Sequence, residues 1–561
     1  QLLTGASVFV AIAAAAQNAR AVNTAADVSA ATTTATAQTS KVAPRSERQL
    51  GVVARPTVKK KSEEAAKEKR KGRVSMQIPE NLRLLLERKI DERIDRDVEL
   101  TGKLRKEATE LLLKFVAETP KEAADMPEAL LRLGELEWEN ARDRFLQDFK
   151  KWEATPGDMR GPTPEPDYQK SRARFLTVLR EYKTYREYDL ALYIDGFLAT
   201  EMGKHEDALD RFNKILAWFP NSRFVPDAHM VRAEYEFVKD APDYQNAYRE
   251  YEAVLKFKKS DLYDIALFKS AWCLWRLGQT DEAARRFLVV FKTTAEAGPG
   301  VSAKRRSELD ELQAEALKNL VAVFVEDEKN SAEDMYGFLK KAGGEKFAGE
   351  IVRALANAFY EQSQYERGIE AYRLLLKLEP MSPKAYEHGL AVAQGQSTMQ
   401  MWDALDTQYR GLITQFTAPV VKPGVPAVQP SAWARGQSAE TLQAAEVAIE
   451  KQLHQDAVSL HAKAQADKTS KVEYLAAAHL YETYAGRFSS RPDAYDVYFN
   501  LGEIYFYHLA DDTKAADAYL AAVRTNPKGP VSRDALYNAL AALETSREKE
   551  LAANKQAGKK Q

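Results

Sequence analysis

Seven histidines, one cysteine and 82 carboxylates are the side chains of this 561-residue chain that could hold a metal or carry acid-base chemistry. The histidines, His205, His229, His388, His454, His461, His479 and His508, are scattered, and none belongs to a His-Glu-x-x-His pair or to a Cys/His cluster at metal-ligand spacing. His454 and His461, two turns apart on one predicted helix, come nearest to a paired site, and metal binding is not expected there. No phosphate-cradling Gly-x-x-x-x-Gly-Lys loop, dinucleotide glycine fingerprint or Gly-x-Ser-x-Gly elbow is present. Cys273 lies at a packing position of a helix, so it reads as a buried structural thiol, and neither a disulfide framework nor a cysteine metal site is available. Carboxylates in such number on amphipathic helices form solvated faces and select no catalytic pair. The residues therefore predict a chain that is not an enzyme and takes no cofactor, metal or small-molecule substrate.

What must position any site is helical. Lys and Arg total 81 against 82 Asp and Glu, a balance that argues against nucleic acid as a partner, although local basic segments remain. From Asp264 to Lys292 apolar or small residues recur at helical spacing (Ala266, Leu267, Ala271, Leu274), break at Gly278-Gln279, and resume at Ala283, Phe287, Val290 and Phe291. This is a helical hairpin in which Ala271 and Ala283 let two helices come close while Leu267, Leu274 and Phe287 fill the space between. One hairpin cannot bury both its faces, so the motif makes physical sense only if neighbours repeat it.

They do. Leu192, Gly196, Ala208, Phe212 and Pro220 make one copy; Leu355, Ala356, Phe359, Tyr365, Gly368, Tyr372, Leu375 and Pro380 another; Tyr498, Leu501, Gly502, Tyr505, Ala515, Tyr519, Ala522 and Pro527 a third. Fainter copies carry Leu130, Leu133 and Gly134 with Phe175, and Ala233 with Ala247 and Tyr251, and a lone second helix has Ala108, Leu112, Phe115 and Pro120. The pattern resembles the tetratricopeptide repeat (TPR), and the resemblance covers most of the chain, from Lys103 to Leu543. It implies an all-α fold, a TPR-like α-solenoid of about nine or ten helical hairpins.

Register against that repeat places Trp138, Phe237, Trp275, Tyr360 and Phe506 at one shared position, facing the inner groove, as a candidate protein-binding surface. The alternative is that these rings pack between adjacent repeats. The resemblance also brings in the family's dicarboxylate clamp for a partner's C-terminus: Arg353 and Asn357 occupy two matching positions and Lys384 lies in the next unit, but His388 stands where a basic or Asn residue is wanted.

Taken in order, the chain opens on an apolar Leu2 to Ala16 followed by Ala19-Arg20-Ala21, the small-x-small pattern of a signal-peptidase site, so 1–21 is expected to be a signal-peptide remnant, with no cysteine placed for a lipid anchor. Residues 22–76 are expected to be disordered, an Ala/Thr-rich tether ending in the basic Lys59 to Arg73. That segment reads either as a peripheral contact for a membrane or other anionic surface or as a solvated helix. An N-terminal solenoid is expected over 77–416, with an insertion at about 139–167; a Pro-rich hinge at 417–432, where four prolines forbid a helix; a C-terminal solenoid over 433–545; and a frayed basic tail at 546–561.

The repeat openings PDAHMVRAEYEF, YDIALFKSAWCLW and RDALYNALAAL are similar to those of exported bacterial TPR proteins of outer-membrane assembly, of the Tol-Pal system and of myxobacterial gliding motility. The resemblance implies a periplasmic scaffold whose partners are other proteins of an envelope complex. The competing expectation is a cytoplasmic adaptor or co-chaperone that binds peptide C-termini.

Overall fold

The computed structural model describes residues 102–298, 301, 303–419, 429–466 and 471–558. The expected signal remnant, the tether, the basic Lys59 to Arg73 and the chain before residue 102 lie outside them, as do residues 420–428 of the Pro-rich stretch. The described residues hold 21 α-helices and no strand. In order they are α1 (Gly102–Glu118), α2 (Met126–Ala154), α3 (Gln169–Glu181), α4 (Tyr188–Glu201), α5 (His205–Trp218), α6 (Val225–Val238), α7 (Tyr244–Val254), α8 (Tyr263–Arg276), α9 (Thr280–Ala295), α10 (Ala303–Glu326) and α11 (Ala332–Lys341). Then follow α12 (Ala348–Glu361), α13 (Tyr365–Leu378), α14 (Ala385–Thr398), α15 (Trp402–Phe416), α16 (Ala432–Gly436), α17 (Ala439–Ala466), α18 (Lys471–Phe488), α19 (Ala494–Glu503), α20 (Asp512–Thr525) and α21 (Ser532–Gly558). Among the described residues eight packed hairpins follow along the chain, α2–α3, α4–α5, α6–α7 and α8–α9 in its first part and α12–α13, α14–α15, α17–α18 and α19–α20 in its second, the all-α solenoid architecture the repeats predict.

One turn recurs because its backbone chemistry recurs. α4, α8 and α11 end on Gly203, Gly278 and Gly343, at φ of 69°, 77° and 68°. The next amide reaches back to close each helix, Lys204 to Ala199, Gln279 to Leu274 and Gly344 to Leu339, at 2.8–2.9 Å. Ser363 and Gln400 hold the same left-handed place after α12 and α14, at φ of 61° and 59°.

Inside the hairpins a small residue of the first helix meets an aromatic ring of the second. A Cβ on Gly134 would lie 2.8 Å from Phe175 Cζ, and one on Gly502 would lie 2.6 Å from Tyr519 Cδ1. In three hairpins the aromatic is a tyrosine whose hydroxyl donates to the residue after the small one: Tyr251 to Glu234 at 2.7 Å, Tyr372 to Asn357 at 2.5 Å, Tyr519 to Glu503 at 2.7 Å. In the last hairpin Ile504–Leu509 form a π-helical turn that absorbs one extra residue and keeps Gly502 against Tyr519.

The chain divides into two compact units, and the division falls within α10, between Val323 and Phe324. In the first unit a continuous core runs from Met126 to Cys273. Arg172 of α3, Asp195 of α4 and Arg211 of α5 are joined there, Asp195 accepting from Arg172 Nε and Arg211 Nε at 2.8 Å each with no exposure of its own. In the second unit a core runs from Ala385 to Ala542.

Two expected boundaries change. The expected hinge at 417–432 does not separate the units: it falls inside the second, where Phe416 and Trp433 pack edge to face at 4.9 Å on either side of it. α15 ends at Phe416 before the prolines, and apolar rings on both flanks share one core. The expected frayed tail from residue 546 is helical to Gly558, because it lacks Pro and is rich in Ala, Glu, Lys and Gln. Lys549 pairs with Asp512 at 2.5 Å and ties it to α20.

Candidate protein-binding surface

Of the five aromatic positions Phe237, Trp275 and Tyr360 stand in the last turn of a hairpin's first helix, Trp138 lies midway along the lengthened α2, and Phe506 follows α19, and their surroundings differ. Trp138 is 1% exposed and packs edge-on against Phe197 of the next hairpin at 6.2 Å. It therefore faces the interior, a correction to its expected place in a groove, because the neighbouring hairpin covers the ring. The other four are half-buried. Phe237 lies against Tyr244 at 5.4 Å with the Lys269 ammonium 5.0 Å from its ring. Trp275 lies 5.0 Å from Trp272 and edge-on to Phe287 at 6.3 Å. Tyr360 packs on Tyr365 and Tyr372 and donates its hydroxyl to the Ala391 carbonyl of the next hairpin at 2.7 Å. Phe506 sits on the π turn beside Tyr507. These four rings thus pack against neighbouring rings and remain partly exposed.

The clamp residues are occupied by their own chain. Arg353 donates to Glu379 at 3.1 Å and to His388 Nε2 at 3.3 Å, and Asn357 accepts the Tyr372 hydroxyl. His388 is buried, and burial, with Arg353 and Lys384 nearby, lowers its pKa from 6.5 to about 4. It is neutral at physiological pH and serves as the acceptor Arg353 needs. Arg353 and Asn357 thus each have a partner within the chain, while Asn357 is exposed and Arg353 partly so.

The insertion has internal structure. α2 runs on to Ala154 with Phe145 and Phe149 buried along it, and Trp152 packs at a tilt against Phe149 at 5.5 Å. Trp152 donates to the Gly161 carbonyl at 2.8 Å, while Arg160 lies 4.8 Å over the indole and donates to the carbonyls of Thr155 and Glu153 at 2.7 Å. Met159 at the turn is 72% exposed.

His454 and His461 do not converge. His454 lies 3.8 Å from Asp493 and against Tyr484, while His461 is buried between Tyr474 and Tyr481. Among the described residues no group of three His, Cys, Asp or Glu side chains could hold a metal, and no helix is long and apolar enough to cross a membrane. Burial, with the Glu234 carboxylate near it, pushes the Cys273 thiol up to about 12, so it stays protonated as a core side chain.

The profile of the tetratricopeptide repeat matches residues 265–292, the hairpin of α8 and α9. No curated protein matches the chain. Among solved structures the chain is similar to Naa15/Naa10 bound to HypK-THB, at 15% identity and a TM-score of 0.31, over 82% of this chain and 60% of that one, less than two thirds of its length. It is similar to the C-terminal part of a TPR repeat-containing protein from Cytophaga hutchinsonii at 13% identity and a TM-score of 0.21, over 61% and 98% of the two chains. For yeast Tom70 the values are 14%, 0.18, 66% and 99%. Similarities of this size carry no argument about function.

Proposed function

We propose that this chain, a tetratricopeptide-repeat protein built from stacked hairpins, is an exported scaffold that holds other proteins of a bacterial cell-envelope machine together, in outer-membrane assembly or gliding motility. The coarser part needs no proposal: a TPR fold is a protein-interaction fold. The observation that carries the finer part is the apolar run Leu2 to Ala16 followed by the small-x-small Ala19-Arg20-Ala21, which reads as the remnant of a secretion signal. The mechanism is presentation. Each hairpin is held by its neighbours, and the half-buried rings of Phe237, Trp275, Tyr360 and Phe506 offer apolar contact at little further entropic cost. Lys59 to Arg73 adds a peripheral anionic contact in this reading. The internal engagement of Arg353 and Asn357 weighs against the competing adaptor that grips peptide C-termini.

Intact-mass measurement of the native protein from fractionated cells tests the export half: loss of the leader together with periplasmic recovery is expected, and an uncut leader in the cytoplasm overturns it. Crosslinking in envelope fractions, with Trp275→Ala and Tyr360→Ala compared with the parent, tests the scaffold half. Loss of specific crosslinks in either variant is expected; an unchanged set in both removes the groove rings from the interface.

A further inference from the structure

In the first unit the loop from α5 to α6 and the loop from α7 to α8 stand side by side and enclose a notch of about 550 Å³. Arg223 comes from one loop and Lys258 and Lys259 from the other, all exposed, with Phe257 (37% exposed) and Pro226 forming apolar wall. None of the three cations has an ion pair among the described residues. The Arg223 guanidinium lies only over its neighbour Phe224, at 4.7 Å. Of the acids nearest in sequence, Asp264 pairs with Arg305 at 2.7 Å, Asp227 is buried and accepts from Tyr193, and Asp189 accepts the hydroxyl of the lining Ser222 at 2.6 Å, which leaves its one negative charge beside the notch.

The equivalent notch two loops earlier, of about 800 Å³, is different. Its cations are balanced by its own carboxylates, Lys121 by Glu181 at 3.9 Å and Arg186 by Glu128 at 3.7 Å. Three cations converging on one concave site, with only the Asp189 carboxylate bonded to its wall, repel one another and leave a net positive field, which an anionic ligand relieves.

We infer that the notch lined by Arg223, Phe257, Lys258 and Lys259 docks an acidic peptide segment of a partner protein. This rests on the scaffold reading above and gives it a site away from the groove rings. A peptide fits better than a lipid surface because the cations line a recess between two loops, where carboxylate side chains can enter and one apolar side chain can lie on Phe257.

The test uses the full chain and a fluorescein-labelled glutamate-rich peptide with one central leucine, read by fluorescence anisotropy over a salt series, beside vesicles of phosphatidylglycerol. The expected result is saturable peptide binding that weakens with salt and falls at least about tenfold in Lys258→Glu/Lys259→Glu. The same charge change at Lys150→Glu/Lys151→Glu, on exposed α2 positions, is expected to leave it within about twofold. Thermal melts check that all three proteins fold alike. Equal loss in both variants would mean the chain merely senses net charge, and notch-dependent recruitment to vesicles without peptide binding would make the site a membrane contact; either result overturns the proposal. Crosslinking of the parent and the notch variant separates the two readings. Partners retained by both sink the notch and leave the scaffold standing, whereas no partners for the parent sinks the scaffold itself.

Discussion

Gly502 has no room for a methyl group: a Cβ there would sit 2.6 Å from the Tyr519 ring, whose hydroxyl is already held by Glu503. Gly502→Ala is therefore expected to cost about 1–3 kcal/mol by overpacking, measured by urea unfolding. Placed on a Tyr519→Ala background, where the ring is gone, the same change should cost much less, because the two residues share one contact. His388 gives a residue-scale pH dependence. Its folded pKa of about 4 lies below the ordinary 6.5, held down by burial first and then by Arg353 and Lys384. Sign follows from proton uptake: below pH 6.5 the unfolded chain binds a proton that the folded chain refuses until about pH 4. The contribution is thus complete above 6.5 and is lost as pH falls through 4, on the order of 2 kcal/mol. His388→Gln, which keeps an acceptor for Arg353, should lose that part of the slope in urea midpoints measured across this range; an unchanged slope would assign it to carboxylates elsewhere.

At the scale of elements, the turns and the insertion make the clearest claims. Gln400 holds the left-handed position that Gly203 and Gly278 hold in sister hairpins, at φ 59°. An L side chain there is strained, so Gln400→Gly is expected to stabilise the second unit by up to about 1 kcal/mol, seen as a raised urea midpoint. The opposite outcome is expected where a glycine already stands, with Gly278→Ala lowering it. In the insertion Trp152 is the keystone, packed against Phe149, covered by Arg160 and bonded to Gly161. Trp152→Ala should open residues 155–167 to limited proteolysis while leaving global stability within about 1 kcal/mol, because no hairpin core depends on the indole.

Over the whole molecule, stability is a sum of hairpins and of their contacts with nearest neighbours, so damage should stay near where it is done. Asp195 joins three consecutive helices with no exposure of its own. Asp195→Ala removes the buried acceptor shared by the two guanidinium groups, leaving Arg172 only Asp207 and Arg211 only Asp210, both more exposed, and is expected to cost about 3 kcal/mol. Hydrogen exchange should show α3 to α5 losing protection while α17 to α20 in the second unit keep theirs. Uniform loss throughout both units would show that the chain unfolds as one cooperative body.

The hairpins, their turns and the close pairs Gly134 with Phe175 and Gly502 with Tyr519 were legible in the amino-acid sequence alone, because each depends on residues within one hairpin or the one beside it, and such contacts print a period on the chain. The chemistry of the aromatic position was not legible. Whether a ring such as Trp138 is covered or free depends on what the next hairpin brings, and the repeat pattern is the same either way. The same holds for Arg353 and Asn357, whose internal partners Glu379, His388 and Tyr372 belong equally well to a packed core and to an empty clamp when read as letters. Only the tertiary structure put the division of the two units inside α10, where no proline or glycine announces it, and bound both flanks of the Pro-rich stretch into one core. It alone brought Arg223 beside Lys258 and Lys259, since cations from successive loops become one field only when the hairpins between them fold and bring the loops together.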